Sequence, residues 1–395
     1  MKVEERLKAQ MPQNELASVG MMCMYCDLGP CVINPFDEQP QVGACGIDAE
    51  AMNYVNLGVK VIKGLNDYQV PSKLSISLDR MLGHTHSAEI GAQELLTASK
   101  DVLKASQELA SAWHRDERIP HEVEHGIGVL EKDSVNLVLT VYSPEMIKTA
   151  KSQKYRTMAR ENDARGINMV GALCGGAEAS YNYEIPLLGS TSELEEAADM
   201  IDYVYRGGDA AEACEKAIEN FSRRDKATFR HFTPKRYTIG YDIDKEKINE
   251  AVDRGLIKGV VVLMGCEAGK TTWDTEELVR ELAENDFMVI NLSCSLRETA
   301  YGVKGCAMME EYNIPCVING GCCEPGKVLG LKKLTILIPG WREPRLLTAA
   351  FGCAAQNIPV IMGTAPFVIP QVRNQLAEAG VQIETDSSKV VEFLR

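Results

Sequence analysis

The sequence contains no apolar run of the roughly 18 to 20 residues that a membrane-spanning helix needs. Basic residues are also few, since 42 Lys+Arg stand against 56 Asp+Glu and the formal net charge is −14 at pH 7. Clustered Lys and Arg hold both nucleic acid and anionic membranes, so this balance argues against either partner. The N-terminal stretch MKVEERLKAQMPQNELASVG lacks the apolar core and the small-residue cleavage site of a signal peptide. We therefore expect a cytoplasmic protein.

Low-complexity tracts and short-period repeats are absent too, and apolar periodicity continues along the whole chain. The apolar share of 45% and the charged share of 25% are ordinary for globular proteins. A length of 395 residues predicts two or three domains, each large enough to bury a core.

The pattern along the chain predicts an α/β protein with a helical N-terminal domain at 1–125 and two doubly wound parallel-sheet domains at 126–232 and 233–395. The first part is strand-poor, and ASKDVLKASQELASAWHRDE has helical spacing. After it, short apolar runs such as VNLVLTVY, GVVVLMGC and FMVINLSC alternate with amphipathic helices, one of them EMIKTAKSQKYRTMAREND. Such alternation implies parallel sheets covered on both faces. The charged stretch RRDKATFRHFTPKRYTIGYDIDKEK is interpreted as a linker.

Cysteine is abundant, with 13 residues, and histidine is scarce, with six. A reducing compartment disfavours structural disulfides, so core thiols, reactive thiols or metal ligands are the expected roles. The histidines offer no convincing ligand spacing: HEVEH (His121, His125) lacks the HExxH order of zinc proteases and is interpreted as a solvated helix or linker edge.

The densest cysteine motif has the spacing x2, x4, x13 and predicts a compact metal centre. Iron–sulfur cubanes and tetrahedral zinc both accept four cysteines, and the spacing alone leaves both open. The nearby Met21, Met22 and Met24 favour a buried [4Fe-4S] cluster. The four residues are Cys23, Cys26, Cys31 and Cys45.

A second set of cysteines shares a position at the carboxyl ends of predicted parallel strands, where open α/β sheets form their binding crevice. Cysteines far apart in sequence can therefore point into one space and hold a shared metal cluster. The set comprises Cys174, Cys266, Cys294, Cys322 and Cys323. Cys214, Cys306, Cys316 and Cys353 are interpreted as packing residues, although Cys306 and Cys316 lie close together in sequence.

The segment from Gly265 to Thr271 imitates a phosphate-binding loop between a strand and a helix. Its first Gly lies one residue too close, and Met264 occupies the required place. A glycine turn that presents Cys266 is the preferred interpretation, with nucleotide binding as the alternative.

With these motifs, the chain resembles the anaerobic nickel–iron carbon monoxide dehydrogenases, whose superfamily also contains the hybrid-cluster proteins. CMYCDLGPCVINPF and GACGIDAEA resemble the family's cubane-binding segment, and GHTHSAE resembles a segment of its helical domain. RGINMVGALCGG, VVVLMGC, NLSC, NGGCC and PVIMGTAP follow in the family's order. The chain resembles a miniature version of the fold, which implies a helical domain and two Rossmann-like domains.

The resemblance also implies roles for the cysteines. Cys23, Cys26, Cys31 and Cys45 match the ligands of a [4Fe-4S] electron-transfer cluster. Cys174, Cys266, Cys294 and Cys323 match ligands of the active-site cluster, with or without nickel, and Cys322 is an alternative to Cys323. The implied partners are a ferredoxin-like electron carrier, a small gaseous or other small-molecule substrate, and a second copy of the chain.

Several family positions are altered. Asn14 and Met22 stand near the cysteines of a subunit-bridging cluster, so the homodimer should lack that cluster. The family's ligating His falls within Thr140-Val141-Tyr142, and a further family Cys falls at about Tyr205. Tyr142 and Tyr205 therefore become candidates for side chains that surround the active-site cluster and its ligands. The expected Lys after the TAP segment is missing, with Val372 and Arg373 nearby. The family's proton-carrying histidines have no clear counterpart near Tyr68, although His84 and His86 are possible substitutes.

These observations predict a carbon monoxide dehydrogenase-like iron–sulfur oxidoreductase, which performs two-electron chemistry on CO/CO2 and passes electrons through the N-terminal cluster. The catalytic residues stay unknown at this stage. A hybrid-cluster-like reductase of hydroxylamine or a similar substrate is the first alternative. A non-enzymatic redox sensor, electron carrier or cluster-assembly accessory on the same scaffold is the second.

Overall fold

The structure is a computed structural model that describes residues 3–38, 41–74, 90–113, 120–189, 191–239, 241–265, 271–293, 307–321 and 323–394. Its helices are α1 (Val3–Ala9), α2 (Glu15–Ser18), α3 (Ala49–Asp67), α4 (Ala92–Ser99), α5 (Val102–Trp113), α6 (Pro144–Ala150), α7 (Gln153–Glu161), α8 (Leu173–Tyr183), α9 (Thr191–Glu196), α10 (Ala210–Arg223), α11 (Lys245–Asp253), α12 (Thr275–Glu284), α13 (Ala307–Tyr312), α14 (Pro344–Ala354), α15 (Pro370–Glu378) and α16 (Ser387–Leu394). Its strands are β1 (Met22–Cys23), β2 (Cys31–Val32), β3 (His121–His125), β4 (Val135–Leu139), β5 (Ile167–Ala172), β6 (Leu187–Gly189), β7 (Tyr203–Tyr205), β8 (Lys235–Ile239), β9 (Gly259–Gly265), β10 (Phe287–Ser293), β11 (Val317–Asn319), β12 (Leu334–Ile338), β13 (Val360–Met362) and β14 (Val381–Ile383).

The C-terminal sheet is wholly parallel, with the strand order β11-β10-β9-β12-β13-β14. Every residue of β9 and β10 is buried, which is why both read as continuous apolar runs in the sequence. The chain moves outward from β9 to β11 and then returns to the other side of β9 with β12. The carboxyl end of β9 therefore lies at a topological switch point, where such sheets bind ligands.

The middle sheet has the order β7-β4-β5-β6-β3-β8 and is parallel except for β8, which pairs antiparallel with β3. The apolar run VNLVLTVY identified β4. The interpretation of HEVEH as a solvated helix or linker edge was wrong, because these residues form β3 and bury Val123 and His125 on alternate positions. The linker interpretation of the following charged stretch missed β8, an edge strand rich in charge.

The helical N-terminal region packs on the C-terminal sheet. Asp48 caps α3, because its carboxylate accepts a 2.8 Å hydrogen bond from the Ala51 amide. Gly64 of α3 lies against Thr348 of α14, where a larger side chain would collide. One apolar core thus joins α3, α4 and α5 to α14 and the sheet strands. The architecture confirms the predicted fold class and the predicted helix at α5.

Two boundaries differ from the sequence patterns. The predicted single helix EMIKTAKSQKYRTMAREND is two helices, α6 and α7, because the chain turns at Lys151 and Ser152. The middle sheet also extends past 126–232 at both ends, through β3 and β8. The division into three domains at those residues stays a prediction. Within the described part of the chain, no helix is both long and apolar enough to cross a bilayer.

Candidate metal centres

The first cysteine motif folds into a small antiparallel hairpin. Strands β1 and β2 pair Cys23 directly with Cys31. Gly29 closes the loop between them: its amide donates to the Cys26 carbonyl at 3.1 Å, and a Cβ there would be 3.1 Å from the Cys23 carbonyl oxygen. The turn leaves little room for a side chain at Gly29 and places Cys23 and Cys31 opposite each other on the two strands.

Cys45 joins them through a loop that folds back on β2. The Ala44 amide donates to the Cys31 sulfur at 3.4 Å. A Cβ on Gly43 would lie 3.5 Å from the Cys31 Cβ, so the backbone of this loop runs directly past that side chain. The loop thus positions Cys45 beside the hairpin, above the start of α3.

All four residues are free thiols; Cys23 is buried and the other three are half-buried. Burial raises the pKa of the Cys23 thiol, and the charges of Cys31, Cys26 and Cys45 raise it further. Met21 is buried as expected, but Met24 is 76% exposed, so the apolar surroundings proposed from the three methionines are only partly present.

The donor set fits a metal centre made of sulfur ligands. Four cysteine thiolates hold [4Fe-4S] clusters, and N–H···S hydrogen bonds like that from Ala44 tune them. Within the described residues, no three His, Cys, Asp or Glu side chains form a compact group around a single metal ion. The fit of the cluster therefore rests on the donor chemistry and the hairpin geometry.

The second set of cysteines lies mostly outside the described residues, but the adjoining strands are described. Cys266 follows β9 and Cys294 follows β10, and the last residues of these strands, Gly265 and Ser293, are register partners. The Ser293 hydroxyl donates to the Gly265 carbonyl at 2.9 Å. The buried Cys323 thiol donates to the same carbonyl at 3.5 Å. The strand ends that precede Cys266 and Cys294 and the segment that contains Cys323 therefore meet at the Gly265 carbonyl.

Cys174 is the second residue of α8, and its side chain lies outside the described part. One turn further along α8, the buried Glu178 carboxylate forms a 2.5 Å ion pair with Lys327. Lys327 also donates to the Gly320 carbonyl at 3.1 Å, just before the Cys322 and Cys323 positions. This contact ties the helix of Cys174 to the loop of Cys323. Cys322 itself lies outside the described residues.

The two tyrosines at altered family positions have different surroundings. Tyr142 is half-buried beside the first turn of α8, where a Cβ on Gly175 would lie 2.5 Å from its amide nitrogen. Tyr205 is only 4% exposed, packs in the core of the middle sheet, and donates from its hydroxyl to the Gly208 carbonyl at 2.8 Å. Tyr142 therefore borders the start of the Cys174 helix, whereas the Tyr205 hydroxyl is bonded to its own loop.

Sequence patterns missed a buried polar cluster behind Cys323. Glu324 is ion-paired with Arg345, and its other carboxylate oxygen accepts a 2.8 Å hydrogen bond from Ser106 of α5. The Gly326 amide donates to the Ser106 hydroxyl at 3.0 Å. These residues come from three separate parts of the chain. The only feature in the local sequence that could have indicated the cluster is that Glu324 directly follows Cys323.

The remaining positions divide as follows. Cys214 and Cys353 are buried free thiols on helices, as expected of packing residues. Cys316 is buried as well, but it is disulfide-bonded, so its assignment as a simple packing thiol was wrong. Arg373 donates to the Ile383 carbonyl at 2.9 Å. The other predicted positions, Cys306, His84, His86 and the loop 266–270, lie outside the described residues.

A cavity of about 300 Å³ opens beside the Cys323 loop. Its wall includes Lys327, Gly320, Lys245 and Asp242, together with Gln107 of α5. The cavity therefore adjoins the ion pair that joins α8 to the loop, and it offers polar groups next to the second centre.

Comparison with known proteins finds carbon monoxide dehydrogenases among the relatives of this chain. A carbon monoxide dehydrogenase from Methanosarcina mazei is 21% identical over 551 aligned positions, which cover 92% of this chain and 87% of that protein. Because 551 positions exceed the 395 residues here, the relative contains inserted segments that this chain lacks. Among solved structures, carbon monoxide dehydrogenase IV from Carboxydothermus hydrogenoformans superposes with a TM-score of 0.76 at 19% identity, covering 100% of this chain and 95% of that one.

The family model described as Prismane/CO dehydrogenase family matches residues 21–119 and 190–327, which is more than half of the chain. The chain belongs to the Prismane/CO dehydrogenase family. A further match, with a TM-score of 0.72 at 16% identity, covers 100% of this chain and 90% of a chain from an acetyl-CoA synthase/carbon monoxide dehydrogenase structure with NiZn[Fe4S4] and NiNi[Fe4S4] clusters in its alpha subunits. The predicted resemblance and the compact version of the fold are thereby confirmed.

Proposed function

We propose that this chain is an iron–sulfur oxidoreductase of the carbon monoxide dehydrogenase type, with CO/CO2 as its substrate pair. Cys174, Cys266, Cys294 and Cys323 or Cys322 would hold the active-site cluster, which includes nickel in this proposal. Cys23, Cys26, Cys31 and Cys45 would hold a [4Fe-4S] cluster. When bound, these groups would supply electron storage and a metal that polarises the substrate.

The observation that carries the proposal is the convergence of elements at the carboxyl edge of the C-terminal sheet. The Gly265 carbonyl accepts hydrogen bonds from both Ser293 and Cys323. The Glu178–Lys327 pair brings the helix of Cys174 to the same loop. A binding crevice at a topological switch point, approached by cysteine-bearing segments of two sheets, supports a shared cluster. The adjoining cavity supports access for a small substrate.

The N-terminal hairpin supports the proposed route for electrons. Cys26 and Cys31 of the hairpin are half-buried, and the same segment exposes Phe36 at 90% and Met24 at 76%. Exposed apolar side chains of this size are typical of docking surfaces. We propose that a ferredoxin-like carrier docks near this hairpin, that the protein forms a homodimer without a bridging cluster, and that it works in the cytoplasm.

A hybrid-cluster-like reductase of hydroxylamine is the second candidate. It is favoured by Tyr205, whose buried hydroxyl is bonded to the Gly208 carbonyl at a position where the resemblance implies a cysteine ligand. A cluster with fewer protein ligands than the active-site cluster of a carbon monoxide dehydrogenase would differ from that cluster in metal content and in substrate.

Metal analysis and turnover assays on anaerobically purified protein test the proposal. Two four-iron centres give about eight iron atoms per chain. Nickel together with CO-dependent dye reduction supports the leading function, whereas iron without nickel and without CO activity contradicts it. Hydroxylamine reduction selects the second candidate. Reversible cluster redox without turnover of either substrate leaves a sensor, carrier or assembly role, and a protein that holds only zinc overturns all three.

A further inference from the structure

Asn56 is a half-buried asparagine on α3 whose side-chain amide is bonded to the start of the cysteine hairpin. Its nitrogen donates to the Met22 carbonyl at 2.9 Å and to the Gly20 carbonyl at 3.1 Å. The two acceptors lie on either side of Met21, and an asparagine amide has two protons to donate. One helix side chain therefore fastens two backbone positions of the same short segment to α3.

The bond to Met22 acts directly on Cys23. The Met22 carbonyl and the Cys23 nitrogen belong to the same peptide group, which is planar, so fixing the carbonyl also fixes the orientation of the bond to Cys23. Of the four cysteines in this motif, Cys23 alone is buried, at 7% exposed. It packs in one apolar cluster with Ala51 and Val55 of α3. Asn56 therefore holds the cysteine whose surroundings depend most on the position of the helix.

Strand β1 is too short to keep its position alone. It consists of two residues and pairs with two residues of β2. A two-stranded ribbon is at best marginally stable by itself in water. Beside it, the Met21 amide donates to the Leu16 carbonyl at 2.8 Å, and the Ile33 amide donates to the Met21 carbonyl at 3.0 Å. The hairpin therefore depends on its contacts with α3.

The helix that carries Asn56 is itself fixed on the C-terminal sheet through a shared apolar core. The fully buried Asn53, three residues earlier on α3, donates to the Gly20 carbonyl at 3.2 Å. Its side-chain oxygen accepts a 2.8 Å hydrogen bond from the Ile369 amide, at the start of α15. A Cβ on Gly20 would collide with the Phe367 carbonyl, so the two segments lie in direct contact. The support of β1 is therefore rigid.

We infer that Asn56 is a positioning residue of the N-terminal centre and that it keeps Cys23 buried against α3. This inference rests on the proposed function, because it takes Cys23, Cys26, Cys31 and Cys45 as ligands of a [4Fe-4S] cluster. The reduction potential of such a cluster depends on its exposure to water and on its hydrogen bonds. Water stabilises the reduced cluster more, because that form is more negatively charged. By keeping water from the Cys23 sulfur, Asn56 holds the potential low.

Asn56→Leu tests the inference in the anaerobically purified, iron-loaded protein, because leucine has a similar volume and no polar hydrogen. Asn249→Leu is the matched control: Asn249 of α11 also ties its helix to a loop, through a 3.0 Å hydrogen bond to the Gly330 carbonyl. Redox titration followed by EPR should show a higher potential of the N-terminal cluster in Asn56→Leu and the wild-type potential in Asn249→Leu. An unchanged or lower potential in Asn56→Leu overturns the inference, and so does an equal rise in the control.

The release of iron to a chelator gives a second measurement. Loss of a hydrogen bond should speed release from the N-terminal cluster about tenfold in Asn56→Leu. Cys26→Ser, which is expected to lack this cluster, identifies the iron that comes from the second centre. If leucine prevents folding, Asn56→Ala removes the same donor without added bulk and is expected to give the same two results. Release at the wild-type rate contradicts the inference.

Hydrogen exchange on the protein as purified separates this inference from the proposed function. The Ile33 amide, which is bonded to the Met21 carbonyl, should exchange about tenfold faster in Asn56→Leu than in wild type, with or without a cluster. An exchange rate equal to that of wild type overturns the inference. If wild type holds no four-iron cluster at these cysteines, that part of the proposed function fails, and the exchange rate still tests whether Asn56 holds β1. If the cluster assembles but its potential is the same in Asn56→Leu, the inference alone fails.

Discussion

The Glu178 carboxylate and the Lys327 ammonium form an ion pair 2.5 Å long that joins α8, which follows β5 of the middle sheet, to the Cys323 loop, which follows β11 of the C-terminal sheet. Glu178 is fully buried and Lys327 is 10% exposed. Glu178 lies one turn after Cys174 on α8, and Lys327 lies four residues after Cys323. This ion pair therefore links the helix of Cys174 to the loop of Cys323, which are both proposed to contribute ligands to the second centre.

Lys327→Met should destabilise the protein by about 3 to 5 kcal/mol, because it leaves the buried Glu178 charge without its principal counter-ion. Chemical unfolding measures this loss. The double variant Glu178→Gln with Lys327→Met should recover much of it, since no isolated charge remains. Lys332→Met is the matched control: its pair with Asp253 is exposed on both sides, so the loss should stay below about 1 kcal/mol. Equal losses in the two lysine variants would refute the prediction.

Cys26→Ser should remove the N-terminal cluster and leave the second one intact, because the two cysteine sets lie on different elements. Iron should fall from about eight to about four atoms per chain, with the signal of the second centre preserved. Cys214→Ala, at a buried free thiol on α10, should retain all of the iron. Simultaneous loss of both clusters in Cys26→Ser would mean that the N-terminal centre also supports the fold.

Gly175→Ala should displace the start of α8 and with it Cys174. A Cβ on Gly175 would lie 2.5 Å from the Tyr142 amide and 2.6 Å from the Val141 Cα, which are backbone atoms that cannot move alone. We expect a loss of about 1 to 3 kcal/mol from such overpacking, together with less iron at the second centre. Gly166→Ala is the control, because a Cβ there meets nothing within 4 Å. A Gly175→Ala protein as stable and as iron-rich as Gly166→Ala would contradict the expectation.

Asp202 should make stability depend on pH in the mildly acidic range. Burial raises the pKa of Asp202 from 3.8 to about 6, despite the amide of Asn136 and the buried Arg224 that pairs with it at 2.8 Å. The folded protein therefore keeps the proton at a pH where the unfolded chain has lost it. The stability this contributes is complete below about pH 4 and is lost as the pH rises through about 6.

The size of this effect follows from the shift, at about 1.36 kcal/mol per pKa unit, and is about 3 kcal/mol in all. Urea unfolding of wild type and Asp202→Asn between pH 4 and 7 measures it, since asparagine cannot titrate. The stability of wild type relative to the variant should fall with rising pH. A constant difference across the range would show that Asp202 has the same pKa in both states.

Local sequence patterns predicted the elements with the strongest periodicity. The apolar runs of β9 and β10 were identified because parallel strands are buried on both faces. β3 was missed because its alternation includes two histidines and two glutamates, and its pairing with β6 and β8 is not visible in the local sequence. The split between α6 and α7 was missed because no glycine or proline marks it.

The candidate site also combines residues that local patterns predicted with residues that they could not group. The spacing of Cys23, Cys26, Cys31 and Cys45 is local, so the sequence alone defines this set. The positions of Cys174 and Cys323 at strand ends were also visible as patterns. Tyr68, Arg345 and Glu324 could not be grouped, because their approach depends on how α3 and α14 pack on the sheet.

The sequence by itself determined the fold class, the family and the spacing of the four N-terminal cysteines, because these depend on periodicity and short-range patterns. Only the tertiary structure decided that Glu178 meets Lys327, that Cys323 shares the Gly265 carbonyl with Ser293, and that the Asn56 amide donates to the Met22 carbonyl. Each of these relationships joins residues from elements distant along the chain. Their energies come from burial and from the low local dielectric, which exist only once the sheets and helices have packed.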